Sequence, residues 1–135
     1  MVQRTLLIIK PDATERDLIG QILSRVESAR FKIVAMKMVH LKPEEARKFY
    51  AVHEGKPFLD ALVDYMSSGP VVPVVLEKEN AILDLRDLVG ATNPESAASG
   101  TVRDVYGRDI QCNSVHASDA EETAKTETRF FFPDL

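Results

Sequence analysis

The sequence has a single cysteine, Cys112, among its 135 residues, so no internal disulfide can staple the fold. It lacks any apolar run near 18 residues, and its N-terminus does not read as a signal peptide. A cytoplasmic chain with no membrane partner is the expectation. Met1-Val2-Gln3-Arg4 leads straight into an apolar segment, so the fold is expected to start there. Excess positive charge is also missing, since 17 Lys and Arg face 21 Asp and Glu for a formal charge of −4. That balance speaks against a protein that coats nucleic acid, and any phosphate site must be local. Six glycines and seven prolines are too few for a collagen-like or low-complexity chain. A Walker A loop, an HExxH zinc motif and paired CxxC sites are all absent, so chemistry must come from residues dispersed along the chain.

What is present is ordinary globular material, 44% hydrophobic and 28% charged. At 15.0 kDa the area scaling gives a folded surface of roughly 7,000 Å² against roughly 22,000 Å² unfolded. That supports one core, and residues 1–135 are read as a single domain.

Thr5-Leu6-Leu7-Ile8-Ile9 is wholly apolar and β-rich, which predicts a central strand closed by a turn at Lys10-Pro11-Asp12. Leu18, Ile19, Ile22, Leu23, Val26 and Ala29 recur at helical spacing behind Asp17 as a cap. A second strand is expected from Phe31 to Leu41, then a helix opened by Lys42-Pro43-Glu44-Glu45 and ending near His53-Glu54-Gly55. A further helix carries Phe58, Leu59, Leu62, Val63 and Met66, and Ser68-Gly69-Pro70 stops it. Val71 to Glu77 predicts a third strand, with Pro73 implying an edge or an irregularity. The next helix, capped by Asn80, stops at Gly90, and about 20 residues without a period follow. Ser118-Asp119-Ala120-Glu121 reads as a capping box, before a helix to about Thr126 and a last strand at Arg129-Phe130-Phe131-Phe132. The expected fold class is α+β, a ferredoxin-like βαββαβ sandwich. It would have a four-stranded antiparallel sheet covered by helices, an inserted helical hairpin, and a long loop before His116.

Among the residues able to carry chemistry, His116 stands two residues before the expected capped helix. The positive end of that helix would favour a neutral ring with a free lone pair, and would suit a group that becomes anionic there. Glu127, one helix away, could orient the ring or simply be a solvated charge. Ser118 and Asp119 lie in the same turn as His116, so capping explains them better than a hydrolytic triad. Lys10, Arg86, Arg103, Thr92 and Tyr50 are unremarkable singly. They matter only if the fold gathers them around a polyphosphate, where charge-assisted donors contribute roughly 1.5–3 kcal/mol each. Cys112 has no neighbouring cation or second cysteine in sequence to argue for a reactive thiolate, and His40 and His53 read as structural or surface residues.

Five ordered blocks carry a resemblance. They are Thr5-Leu6-Leu7-Ile8-Ile9-Lys10-Pro11-Asp12, Tyr65-Met66-Ser67-Ser68-Gly69-Pro70-Val71-Val72, Gly90-Ala91-Thr92-Asn93-Pro94, Gly100-Thr101-Val102-Arg103 and Asn113-Ser114-Val115-His116-Ala117-Ser118-Asp119. With them the chain resembles the nucleoside diphosphate kinases over nearly its whole length. The resemblance implies ping-pong transfer of the terminal phosphate of a nucleoside triphosphate to a nucleoside diphosphate, through a phosphohistidine on His116. It implies phosphate and sugar contacts from Lys10, Tyr50, Arg86, Thr92, Arg103 and Asn113, and an apolar base clamp of Phe58 and Leu62 against Ile110. Glu127 would hold the histidine ring, with Ser118 nearby. Mg²⁺ would be held mainly by nucleotide phosphates, with few or no protein ligands. A base held by stacking gives low base selectivity, because every base has an aromatic face.

The resemblance further implies a homo-oligomer, a tetramer or hexamer built from dimers. The early end at Phe132-Pro133-Asp134-Leu135, short of many relatives' tails, leaves the size open. Ala117 stands where the family most often has glycine, and an ordinary backbone conformation is expected there. The alternatives are a ferredoxin-like module that binds a nucleotide without turning it over, and a single-strand RNA binder. The acidic balance and the lack of aromatic RNP motifs count against the second.

Overall fold

The computed structural model describes residues 2–135. In chain order the elements are β1 (Val2–Ile9), α1 (Pro11–Glu15), α2 (Ile19–Ser28), β2 (Lys32–Met36), α3 (Pro43–Phe49), α4 (Leu59–Met66), β3 (Val72–Glu79), α5 (Ala81–Val89), α6 (Val102–Tyr106), β4 (Val115–Ala117) and α7 (Glu121–Phe131), with 3-10 turns at Ala51–His53 and Pro94–Ser96. The four strands form one antiparallel sheet in the order β2-β3-β1-β4, the ferredoxin-like arrangement. The chain exposes 7317 Å² of accessible surface.

β1 is apolar on both sides because both faces of the sheet are covered. Leu7 and Ile9 join Val72, Val74, Leu76, Val115 and Ala117 under Ile22, Val26, Leu85 and Val89. Leu6 and Ile8 point the other way, with Val75, into a core closed by Tyr50, Leu59, Val63, Met66 and Phe131. In an antiparallel sheet directly opposed residues share a face. The pairing Ile8↔His116 therefore puts His116 on the second face, toward α3 and α7.

Several sequence expectations are corrected. Arg129 to Phe132 is no strand: Phe130 and Phe131 end α7, with rings 5.3 and 5.2 Å from that of Phe49. A short apolar run cannot distinguish helix from strand by period, and packing on the second core decides it. The fourth strand is Val115–Ala117, so the histidine lies in the sheet rather than behind a featureless loop, and the residues before it hold α6 and a 3-10 turn. Pro73 is not on an edge, since β3 lies between β2 and β1. Its carbonyl accepts from Lys37 just past the end of β2, so the missing N–H falls where that ladder stops. β2 is shorter than expected and is bulged between Ile33 and Ala35. Pro11 opens α1 rather than a turn, and α2 starts two residues after Asp17, with Leu18 at its N-cap and Asp17 left-handed at φ 59°. Asn80 does stand at the N-cap of α5, but its side chain caps nothing.

Candidate active site

His116 projects from β4 between α3 and α7. Its Nε2 is 2.8 Å from Glu127 Oε1, and the same oxygen accepts the Ser118 hydroxyl at 2.6 Å. The rings of Phe49 and Tyr50 meet it edge-on, with centroids 5.5 and 6.3 Å away. The expected capping box does not form, because Ser118 is used on Glu127 and α7 begins behind Ala120, whose N–H donates to Thr123. What this helix offers the histidine is therefore a carboxylate about two turns in, not its N-terminal amides. A ring whose Nε2–H donates to Glu127 carries its lone pair on Nδ1.

Three cations are tied to the segment that bears His116. Arg103 donates to Gly90 O at 2.9 Å and to Val115 O at 2.8 Å, and Arg86 donates to Ala117 O at 3.3 Å. Two guanidiniums thus hold the carbonyls on either side of the histidine. Lys10 leaves the end of β1 with its N–H on Ser114 O at 2.9 Å and its Nζ on Asn113 Oδ1 at 2.9 Å. Asn113 in turn donates Nδ2 to Thr92 O at 2.9 Å, which joins the loop after α5 to the cluster.

Burial holds the Lys10 amine down to about 8, helped by the nearby Arg103 charge. It lowers Arg103 to about 10, with Arg86 adding to the effect. Bringing like charges together out of water is costly unless an anion compensates. Burial, and then the Glu127 charge, raises the Tyr50 hydroxyl well above its usual range, so it stays protonated. Among the described residues the buried side-chain polar atoms without a hydrogen-bond partner are Thr5 Oγ1, Tyr50 Oη and Arg103 Nε. Two of the three belong to this cluster. Such orphaned donors cost about 1–3 kcal/mol each, and with the paired cations they make a donor set suited to a polyanion. No group of three or more His, Cys, Asp or Glu able to hold a metal ion occurs among the described residues.

His116, Glu127, Ser118, Tyr50, Lys10, Arg86, Arg103, Asn113 and Thr92 are thus one connected cluster. Leu62 is part of the second core, while Phe58 and Ile110 are 48% and 60% exposed. Phe58 reaches the cluster through His53, whose ring is 5.1 Å from Phe58 and stacks on Tyr50 at 6.1 Å. Ile110, in the loop before Asn113, is not joined to it by these contacts. Sequence reasoning set His53 aside, yet burial, Lys56 and His116 all lower its pKa. His40 is structural, bonded to Ser67 O at 2.8 Å. Asp12, Arg16 and Tyr65 were also missed, although Asp12 and Arg16 show the i,i+4 spacing of a helical ion pair. Burial raises the Cys112 thiol, consistent with an unreactive cysteine. Ala117 is an ordinary strand residue, and the left-handed position is Ser114, at φ 76°.

A helix-covered ferredoxin-like sheet with a carboxylate-held histidine among cations defines a phosphate-handling protein. The family model of nucleoside diphosphate kinases matches residues 3–135. The nucleoside diphosphate kinase of Francisella tularensis is 56% identical over 132 residues, 98% of this chain and 94% of its own. That of Salinibacter ruber is 52% identical over 132 residues, 98% and 93% of the two chains. A crystal structure of the Aquifex aeolicus nucleoside diphosphate kinase superposes with a TM-score of 0.96 at 46% identity, covering 98% of this chain and 96% of that one. The halophilic enzyme from Halobacterium salinarum, solved in complex with CDP, gives 0.95 at 41%, with 99% and 90% covered. The chain belongs to the nucleoside diphosphate kinase family, enzymes that move phosphate from nucleoside triphosphates to nucleoside diphosphates. No helix among the described residues is long and apolar enough to cross a membrane.

Proposed function

We propose that transfer runs by a ping-pong route through Nδ1 of His116, within one domain spanning residues 1–135. The observation that carries this reading is the 2.8 Å contact between Nε2 and Glu127, which leaves Nδ1 as the nucleophilic nitrogen. Nδ1 attacks the terminal phosphorus of the triphosphate, an N–P bond forms, and the bond to the bridging oxygen breaks. The diphosphate then leaves. A second diphosphate attacks the phosphohistidine with a terminal phosphate oxygen, the N–P bond breaks, and the lone pair returns to Nδ1. Little covalent work falls to other side chains, so catalysis is alignment plus neutralised oxygen charge. Lys10, Arg86 and Arg103 supply that charge, and the Tyr50 hydroxyl, Thr92 and Asn113 supply further donors to phosphate and sugar.

Mg²⁺ suits this donor set as a companion of the nucleotide. The cluster consists of cations and neutral donors, and Mg²⁺ keeps water and phosphate oxygens as ligands. When bound it neutralises phosphate charge. Phe58 and Leu62 are assigned to one side of the base and Ile110 to the other, without edge-reading hydrogen bonds, so all bases are accepted. The assembly proposed is a tetramer or a hexamer, either one built from dimers, in the cytoplasm, and mass in solution decides between the two.

Incubation with Mg²⁺ and a triphosphate labelled in its terminal phosphate tests the route. Wild-type protein should gain an acid-labile, alkali-stable label and His116→Ala none. An unlabelled wild type would refute it. With adenine, guanine and pyrimidine diphosphates as acceptors, a preference above about a thousandfold, about 4 kcal/mol, would overturn the base clamp.

A further inference from the structure

Ser114 is fully buried, is not glycine, and has φ 76°. The Val115 N–H bonds back to Asn113 O at 3.0 Å, closing a three-residue turn of a kind that side chains rarely tolerate. This turn stands directly between two groups of the site, with Asn113 before it and His116 two residues after. Its shape therefore sets both directions at once, and something outside it must hold it.

The Lys10 backbone N–H anchors its carbonyl. On the side-chain side the hub is Arg16. One guanidinium nitrogen of Arg16 is 2.5 Å from Tyr106 O at the end of α6, 3.1 Å from Asp12 Oδ2 and 3.5 Å from Ser114 Oγ, while Nε donates to Asp12 O at 3.0 Å. Asp12 is itself only 4% exposed. Its other carboxylate oxygen accepts the Tyr65 hydroxyl, and its N–H donates to the Tyr65 oxygen at 3.0 Å. Burial and the bond to Asp12 keep that hydroxyl protonated. The forked Arg16 donors thus join α1, α6 and the turn, in a setting fixed from α4. Neither Arg16 nor Asp12 nor Tyr65 is in the set of groups that meet the His116 ring.

We infer that Arg16, fixed by Asp12 and Tyr65, is a positioning residue that holds the strained Ser114 turn and thereby aims Asn113 and His116 together. The inference rests on His116 being the phosphate acceptor. It adds that the acceptor's direction depends on a side chain that touches no reacting atom. A misplacement near 1 Å can cost about a hundredfold in rate without abolishing binding.

The test measures single-turnover labelling of the intact protein by Mg²⁺ and labelled triphosphate, together with the Kd for the diphosphate. Arg16→Gln should label about tenfold to a hundredfold more slowly, with Kd changed by less than about threefold. Arg16→Lys keeps the charge beside Asp12 but lacks the fork. It should melt like wild type and still label at least about threefold more slowly. The deciding variant is Ser114→Gly in the Arg16→Gln background. Glycine takes a positive φ freely, so the turn no longer needs holding and at least about half of the lost rate, on a logarithmic scale, should return. A structural defect from losing Arg16 would not be repaired this way. Arg16→Gln or Arg16→Lys labelling at the wild-type rate, Kd rising by the same factor as the rate falls, or no recovery with glycine would each overturn the inference. Failure of the wild type to label would instead sink the phosphohistidine route, so the two failures are distinguishable.

Discussion

Lys10 allows a quantitative prediction about protons. The residue is 7% exposed, and burial lowers its amine from the ordinary 10.5 to about 8. In the free enzyme it is therefore about nine-tenths protonated at pH 7 and about one-tenth at pH 9. A polyphosphate beside it supplies the opposite charge that burial and Arg103 deny it, and should restore the pKa to about 10.5 or higher. Nucleotide binding should then take up about 0.9 proton per site at pH 9 and about 0.1 at pH 7 from this group. By the same linkage the Kd for the diphosphate should rise about tenfold between pH 7 and pH 9. The nucleotide phosphates are already fully ionised at pH 9, so they contribute nothing to the uptake.

Titration calorimetry in two pH 9 buffers of different ionisation enthalpy reads the proton count directly. Lys10→Met should bind more weakly and take up fewer than about 0.2 proton. Wild-type uptake below about 0.3 proton, or equal uptake by Lys10→Met, would refute the reasoning. The same shift acts on stability. Between pH 8 and 10.5 the unfolded chain holds a proton on Lys10 that the folded chain has lost, so this group's contribution to stability rises with pH across that window, by about 3 kcal/mol. Below pH 8 the amine is charged in both states and the burial cost is constant.

Tyr50→Phe removes a buried hydroxyl that has no partner, so the melting transition should stay level or gain up to about 1 kcal/mol, while single-turnover labelling slows about tenfold to a hundredfold if that hydroxyl meets phosphate. A loss of stability above about 1 kcal/mol would mean that the hydroxyl is bonded after all. Gly90→Ala should be severe, because Gly90 has φ 88° and an added Cβ would lie 2.8 Å from Thr101 Cβ and 3.2 Å from Ala97 Cβ. Left-handed strain and overlap together predict a loss of about 2–4 kcal/mol in denaturant unfolding, and a loss below about 1 kcal/mol would show that the loop yields.

The elements legible in the sequence are those with many residues on one repeat. α2 and α5 show their apolar stripes, and β1 shows the unbroken run of a strand buried on both sides. β4 has three residues, too few to display any period, and the Phe130-Phe131-Phe132 run drew the strand assignment that belonged to it. Pro73 misled because its missing donor falls opposite the end of β2, a fact of pairing and not of composition. The cluster around His116 was legible only through the family resemblance, since Tyr50, Arg86 and Glu127 lie outside the five blocks that carry it. The His116–Glu127 contact joins a strand to a point about two turns inside the next helix, which no local spacing announces. Arg16 was overlooked because an arginine at the C-cap of a short helix is by default a solvated one.

Side chains alternate along a strand, so a one-residue slip of β4 against β1 would turn His116 onto the face of Ile22 and Leu85 and push Val115 and Ala117 out of their core. The three paired residues are few for so much responsibility. Their register is pinned beyond both ends, by Lys10 N–H on Ser114 O and by Ser118 N–H on Leu6 O. It is pinned from the side by Arg103 on Val115 O and Arg86 on Ala117 O. The cations assigned to phosphate are therefore also restraints on the strand that presents the histidine. Replacing either arginine should disturb the aim of His116 as well as the charge around it, so their effects on rate and on nucleotide affinity should not separate cleanly, unlike those of Arg16.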